Sequence, residues 1–243
     1  MSILLRTTCA TVLSLLLLAG RSFAADISSL NIIGFSPDSS VFAFEEYGVL
    51  DGSGFPYSNI YFVDTVNDTF LPGTPVRVRI EKEASLDEAR SEAATKAKTL
   101  IGDNKLAASP GHLVAFNPIS EVDSDPFKVR YFGFPSDPIA GGAYTLQLEQ
   151  FPLPPSEKCK GLADAFTGFR LKITEFNGQA ANIKVREDTG IPESRGCPVG
   201  YRLGAVVTNT GATPLHIALV QVNTEGFEGK DGRWIAVPVR VAP

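Results

Sequence analysis

Carboxylates and tyrosines cluster in one short segment in the N-terminal part of this 243-residue sequence. Glu45, Glu46 and Asp51 are accompanied by Tyr47 and Tyr57, with glycines between them. Aromatic rings beside carboxylates are suited to binding a sugar, and carboxylate oxygens are the ligands that Ca²⁺ prefers. Two carboxyl groups held about 5 to 9 Å apart also supply the acid and base of glycoside cleavage. The segment is therefore the candidate site for ligand binding or hydrolysis.

The backbone limits what these carboxylates can do together. Successive side chains of a β-strand point to opposite faces, so Glu45 and Glu46 cannot both face one ligand if a strand runs through them. The simplest interpretation places both glutamates in solvent at the rim of a sheet, with an aromatic side chain closing the core. The alternatives are ligand binding and catalysis, and Glu45, Glu46 or Asp51 would carry either one.

Other catalytic patterns are incomplete. Gly52-Ser53-Gly54 lacks the one-residue spacing between the serine and each glycine that a nucleophile elbow needs. His112 and His216 lie far apart and are each flanked by apolar residues, which favours structural roles. Folding could still bring either histidine to a serine or a carboxylate. We predict no catalytic residue, no bound metal and no cofactor.

The first 24 residues have the pattern of a secretory signal peptide. Arg6 precedes the apolar run 12–19, and Ser22 and Ala24 supply small residues at the cleavage positions. The apolar run is shorter than the roughly 20 residues that span a bilayer. We therefore expect a chain that is exported to the periplasm or secreted, with no membrane anchor after signal cleavage.

The charge balance excludes two classes of partner. The sequence carries 22 basic against 27 acidic residues, a formal net charge of −5. Loss of Arg6 and Arg21 with the signal peptide makes the mature chain more acidic still. Nucleic acids and anionic membrane surfaces attract clustered Lys and Arg. We expect an envelope protein or a glycan as partner, and no nucleic acid.

The cysteines predict one disulfide. Cys9 leaves with the signal peptide, so the mature chain keeps Cys159 and Cys197, an even pair in an oxidising compartment. The alternative is a pair of metal-binding or catalytic thiols, but no CxxC pattern and no neighbouring histidine accompanies either cysteine.

Alternating apolar and polar residues dominate the sequence and predict β-strands. The clearest case is Val76 to Glu81, and the same pattern flanks Asn177-Gly178, a residue pair typical of a tight hairpin turn. The segments 217–222 and 234–241 predict another antiparallel pair. With about ten to twelve such strands, we expect a mainly β protein built as an antiparallel sandwich or as barrel-like sheets.

One segment has helical periodicity. Ser85 and Glu88 form the capping-box pattern that starts a helix, and a mostly alanine stripe recurs at helical spacing over residues 86–101. Small side chains bury little area each, so this amphipathic helix should cover a core that the strands form. The proline-rich stretch 151–158 marks an alternative in which the secreted β-rich domain, residues 25–243, divides into two sub-sheets.

Two resemblances add to these predictions. Four blocks, GFSPD at 34–38, FAFEEYG at 42–48, DGSGFPY at 51–57 and GFEG at 226–229, resemble a bacterial family of predicted secreted proteins with a domain of unknown function, DUF2259. That resemblance covers essentially the whole mature chain and implies export and a shared fold, but no catalytic role. The turn at 36–39 also resembles a bacterial WD-like propeller repeat. A propeller needs about four to eight blades, so one copy indicates a solitary motif in another kind of sheet.

These observations favour an exported cell-envelope protein that binds a partner and performs no covalent chemistry. Tyr47, Tyr57 and Phe227 are the aromatic residues of the predicted partner surface, beside the carboxylates described above. The rival hypothesis is a carbohydrate-active or other envelope hydrolase that uses the carboxylates of the 45–51 loop. A structural accessory protein is the third alternative.

Overall fold

The computed structural model describes residues 26–209, 214–226 and 229–240, which form three antiparallel sheets and one α-helix. The N-terminal sheet contains β1 (Ser29–Phe35), β2 (Val41–Val49), β3 (Pro56–Asp64), β4 (Thr69–Phe70) and β5 (Val76–Arg79), and α1 (Leu86–Asp103) follows it. The central sheet contains β6 (His112–Phe116), β11 (Pro198–Asn209), β12 (Leu215–Glu225) and β13 (Lys230–Arg240). The distal sheet contains β7 (Lys128–Phe132), β8 (Ala143–Leu153), β9 (Phe166–Phe176) and β10 (Gln179–Glu187). The predicted signal peptide lies outside the described residues.

The first three strands form a meander. Ser36 Oγ donates to Asp38 Oδ1 at 2.6 Å and accepts from the Val41 amide at 2.9 Å, which closes the turn between β1 and β2. Hydrogen bonds from Ser36 and Ser40 lower the pKa of Asp38 to about 2. The solitary turn motif therefore sits in a sheet of a layered β structure.

The helix α1 begins at the predicted capping box. Ser85 Oγ accepts from the Glu88 amide at 3.2 Å, and Glu88 Oε2 accepts from the Ser85 amide at 2.7 Å. Ala89, Ala93 and Ala97 are fully buried against the outer face of the N-terminal sheet. The helix thus covers a core that the strands form, as the alanine stripe indicated.

The central sheet is buried on both faces. Its strands β11 and β12 are therefore buried over most of their length, with apolar runs at 205–207 and 217–220 in place of the alternation of a half-exposed strand. One face packs on Phe44 of the N-terminal sheet through Ile217 and Trp234. The other face packs on Leu171 of the distal sheet through Val220. The layers consequently follow the order helix, N-terminal sheet, central sheet, distal sheet.

The distal sheet contains the predicted tight hairpin. Asn177 and Gly178, between β9 and β10, have φ angles of 48° and 78°. A type I′ turn needs positive φ at both positions, and its twist matches that of the two strands. The Asn-Gly prediction is confirmed.

The prediction of a mainly β, antiparallel protein with one helix is confirmed. In the part of the chain that the structure describes, the 13 strands form three separate layered sheets instead of one closed barrel. The number of strands is slightly higher than the predicted ten to twelve, and one of them, β4, has only two residues. No helix within the described ranges is long and apolar enough to cross a membrane.

Cys159 and Cys197 form the predicted disulfide, with Cα atoms 5.7 Å apart and a sequence separation of 38. It joins a short 3₁₀ turn, Glu157–Cys159, to the residue that precedes β11. Closing a loop of this length stabilises the fold by about 4 kcal/mol in the chain-entropy model. The interval 151–158 contains the end of β8 and most of this turn, and division of the domain there stays a prediction.

A substitution at Gly204 would test how tightly the central sheet is packed. A Cβ atom at this position would come within 2.5 Å of two carbons of the Trp234 indole. We expect Gly204→Ala to lower the free energy of unfolding by about 1 to 3 kcal/mol in urea denaturation. Gly190→Ala is the matched control, because no atom lies within 4 Å of its added Cβ. Equal losses in the two variants would contradict this packing.

Candidate functional site

Glu45 lies in the middle of β2 and faces the helix. Arg90 donates to it from Nε at 2.9 Å and from Nη2 at 2.8 Å, and Ser58 and Asn31 donate at 3.0 and 3.1 Å. Burial works to raise the pKa of Glu45, but the hydrogen bonds from Arg90 and Ser58 outweigh it, and the pKa is lowered. The carboxylate therefore stays ionised and anchors α1 to the sheet.

Glu46 points to the opposite face, into the interface with the central sheet. Its Oε2 accepts from the Trp234 amide at 2.8 Å. Its Oε1 accepts from Tyr61 Oη at 2.8 Å and from Asn59 Nδ2 at 3.0 Å. Because Trp234 belongs to β13, this carboxylate links two sheets.

The expectation that both glutamates lie in solvent is wrong. Glu45 is 6% exposed and Glu46 is 1% exposed, and both belong to β2 instead of a loop. Burying a carboxylate is costly unless donors surround it, and here each carboxylate has them. The prediction that the two side chains point to opposite faces is confirmed. Their assignment as ligand-binding residues stays a prediction.

The other predicted site residues are spread over separate environments. Tyr47 lies under the Arg90 guanidinium, whose carbon is 3.9 Å from the ring centroid. Tyr57 is buried, which raises its pKa, and its hydroxyl donates to Asp26 Oδ1 at 3.1 Å. Asp51 lies in the turn after β2, and its Oδ1 accepts from the following amide at 2.9 Å. Phe227 lies outside the described residues.

The two histidines stay apart in the fold. His216 is 4% exposed, its Nδ1 lies 2.9 Å from the Tyr131 hydroxyl, and burial lowers its pKa to about 4. His112 packs edge-on against Phe134. Among the described residues, no group of three or more His, Cys, Asp or Glu side chains is placed to hold a metal ion.

An open groove of about 470 Å³ lies between β1, at the edge of the N-terminal sheet, and β6, at the edge of the central sheet. We call it the β1–β6 groove. Arg202, Gln221 and Trp234 form a row on its floor, because they are paired in register across β11, β12 and β13. Gln221 is 2% exposed and Trp234 is 7% exposed.

The walls of the β1–β6 groove are apolar. Leu30 and Ile32 of β1 line one side, and Leu113 and Phe116 of β6 line the other, followed by Ile119. Leu113, Phe116 and Ile119 are between 55% and 60% exposed. Clustered exposed apolar side chains beside a concave surface mark interaction sites in soluble proteins.

Two polar groups on the floor are incompletely satisfied. Arg202 donates from Nε to the Asn117 carbonyl at 3.0 Å, and from Nη2 to Asn117 Oδ1 and to the Pro118 carbonyl at 3.2 and 2.9 Å. A further bond from Nη2 reaches Ser124 Oγ. Within the described residues, Arg202 forms no ion pair and Gln221 Oε1 accepts no hydrogen bond. The floor therefore carries a positive charge, and a buried acceptor without a hydrogen-bond partner lies beside it.

A second cleft, of about 480 Å³, lies beside β5. Arg77, Arg79 and Arg233 line it together with Tyr57. Arg233 pairs with Asp26 at 2.5 Å, and Arg79 pairs with a neighbouring glutamate. Most of its charge is thus matched within the protein, which distinguishes this cleft from the β1–β6 groove.

The residues on the floor of the groove were not predicted from the sequence. Gln221 is the single polar residue in the run 217–222, and Trp234 is the single tryptophan of the chain. These are the local signs that the sequence offers. Their meeting with Arg202 depends on the pairing of three strands, which leaves no local pattern.

Residues 43–240 match the model of a family described as Predicted secreted protein (DUF2259). The chain belongs to this family. No curated protein and no solved structure matches the chain. The predicted family is confirmed, and the disulfide of this family member is consistent with an extracytoplasmic location.

Glu46→Gln tests the structural role of the buried carboxylate in this family member. Gln cannot accept from three donors as an anion does, so we expect a loss of about 2 to 3 kcal/mol in the free energy of unfolding, measured by urea denaturation at pH 7. Glu92→Gln, on an exposed helix position, should change it by less than about 0.5 kcal/mol. An unchanged stability of Glu46→Gln would argue against the link between the sheets.

His216 predicts a pH dependence of stability. Its pKa is about 4 in the folded state against an ordinary 6.5, so the unfolded state gains the proton first as the pH falls. Between pH 7 and pH 4 the free energy of unfolding should therefore fall by about 3 kcal/mol more in the wild type than in His216→Gln.

The control for this pH series is His112→Gln, which leaves the buried imidazole in place and should keep the wild-type dependence. Urea denaturation at several pH values measures all three proteins. Parallel curves for the wild type and His216→Gln would contradict the assignment of His216 as a buried neutral histidine.

Proposed function

We propose that this family member is a non-enzymatic binding protein of the cell envelope and that its ligand enters the β1–β6 groove. The observation that carries the proposal is the floor of the groove, where Gln221 is buried and its Oε1 accepts no hydrogen bond among the described residues. A buried polar group without a partner costs about 1 to 3 kcal/mol. A ligand that donates to Gln221 would offset that cost.

The state of the acidic residues supports binding over hydrolysis. A general acid or base has to exchange a proton with its substrate, and a nucleophile has to reach it. Glu45 is held by four hydrogen bonds and Glu46 by three, on opposite faces of β2. Moving either carboxylate toward a substrate would break contacts that hold two layers together.

The aromatic residues support an apolar ligand over a glycan. A sugar ring stacks on an accessible aromatic face, but Tyr57 is 4% exposed and Trp234 is 7% exposed. One face of Tyr47 is covered by Arg90. The groove instead offers apolar walls in which Phe116 is the single exposed aromatic residue among aliphatic ones. Its volume lies within the range of about 300 to 1,000 Å³ that is usual for small-molecule sites.

The neutral fluorescent probe N-phenyl-1-naphthylamine tests whether the groove accepts an apolar compound. We expect the wild-type protein to bind the probe with increased emission, because the groove walls exclude water from it. Leu113→Ser combined with Phe116→Ser should weaken binding about tenfold or more, since both side chains line the groove.

The matched control is Val122→Ser, an apolar side chain that is 92% exposed and does not line the groove. It should bind the probe like the wild type. No binding by the wild type, or equal binding by the groove variant, would refute the proposal.

One observation favours the hydrolase alternative: Asp51 Oδ2 is buried and accepts no hydrogen bond among the described residues. A panel of glycan and ester substrates, with Glu45→Gln and Asp51→Asn as variants, separates the two functions. We expect no turnover by the wild type. Turnover that either substitution abolishes would replace binding by hydrolysis.

A further inference from the structure

We infer that the β1–β6 groove binds a medium-chain fatty acid that carries a hydroxyl group near its carboxylate. The inference rests on the proposed function and specifies the ligand. The carboxylate binds Arg202, the hydroxyl donates to Gln221, and the acyl chain lies between the apolar walls.

The carboxylate is inferred from the charge of Arg202, which forms no ion pair among the described residues and is acted on only at longer range by Asp125. The other arginines that are well packed each face a carboxylate: Arg90 faces Glu45, and Arg233 faces Asp26. Arg202 is half-buried, yet it bonds only to neutral acceptors, and its Nη1 makes no hydrogen bond within the described residues. A planar guanidinium with a free nitrogen is suited to a carboxylate, which would supply the missing countercharge.

The hydroxyl group of the ligand is inferred from the unbonded acceptor Gln221 Oε1 on the neighbouring strand, β12. Gln221 pairs directly with Arg202 across β11 and β12, and both side chains line the groove. Directly opposed residues of an antiparallel pair have Cβ atoms about 4.5 to 5.5 Å apart. Gln221 Oε1 itself has almost no accessible surface, so the side-chain amide has to turn toward the groove. A hydroxyl a few atoms from the carboxylate can then donate to Gln221 Oε1 while the carboxylate accepts from Arg202.

The acyl chain of the ligand is inferred from the apolar walls of the β1–β6 groove. Leu30 and Ile32 face Leu113 and Phe116 across the groove, with no carboxylate among the residues that line it. The exposed walls offer little to a charged or strongly hydrated group. An aliphatic chain removes these side chains from water along with its own surface.

Trp234 reports directly on binding, because it is the only tryptophan and lies on the groove floor. The mature protein is titrated with methyl dodecanoate, dodecanoate and 3-hydroxydodecanoate below their micelle concentrations, and Trp234 emission is followed. We expect the affinity to rise about tenfold from the ester to the acid and again to the hydroxy acid.

Two variants test the two polar contacts separately. Arg202→Gln should bind dodecanoate no more tightly than methyl dodecanoate. Arg202→Lys should keep part of the higher affinity for the acid, because the positive charge remains. Gln221→Leu should bind 3-hydroxydodecanoate no more tightly than dodecanoate. It should still bind dodecanoate more tightly than methyl dodecanoate. Retained binding of methyl dodecanoate shows that the groove of each variant is intact.

The outcomes separate this inference from the proposed function. Equal affinities for the three compounds, or no binding of any of them by a protein that binds N-phenyl-1-naphthylamine, would overturn the inference and leave the binding function standing. If the wild-type protein also fails to bind N-phenyl-1-naphthylamine, both the inference and the proposed binding function are refuted. A dimer that the Leu113→Ser and Phe116→Ser changes dissociate, without fatty-acid binding, would make the groove a subunit interface and refute the inference.

Discussion

Burial of the central sheet on both faces is the constraint on which the other layers depend. The buried apolar side chains of β11 and β12 point to both faces, so one sheet has to cover each face. The N-terminal sheet covers one face through Phe42 and Phe44, and the distal sheet covers the other through Leu171 and Ile173. The helix then closes the outer face of the N-terminal sheet. The outer face of the distal sheet stays in water.

Because the sheet interfaces exclude water, each charge within them has to be matched inside the protein. Glu46 accepts three hydrogen bonds in one interface, and Asp26 pairs with Arg233 nearby. On the outer face of the distal sheet, in contrast, Glu149 and Arg170 pair in contact with solvent, where such pairs add little stability. The buried pairs therefore fix how the layers meet, and the exposed pairs keep a surface hydrated.

The sequence predicted the features that depend on neighbouring residues. The Asn177-Gly178 turn, the capping box at Ser85 and the turn after Phe35 each involve residues a few positions apart, so local patterns were sufficient. The disulfide followed because only two cysteines were left to pair. The burial of Glu46 could not be predicted, because its partner on β13 lies 188 positions away.

The groove was beyond prediction for the same reason, since it exists only where two sheet edges meet. Its floor also departs from the apolar pattern of the preceding positions on the same face. On the same face of β12, Ile217 and Leu219 are fully buried apolar residues that pack against the N-terminal sheet. A leucine at position 221 would serve this packing without leaving an amide oxygen unbonded, and an apolar side chain at position 202 would avoid an unmatched charge.

Folding alone therefore does not account for the polar row. Local rules tend to be broken where function requires it, and the stability that is lost there is supplied by the surrounding layers. In this protein the stability is lost at the open end of the interface, next to exposed walls of apolar side chains. A bound molecule that supplies a carboxylate to Arg202 and a donor to Gln221 would satisfy both groups at once. Such a ligand would account for polar residues at positions where packing favours apolar ones.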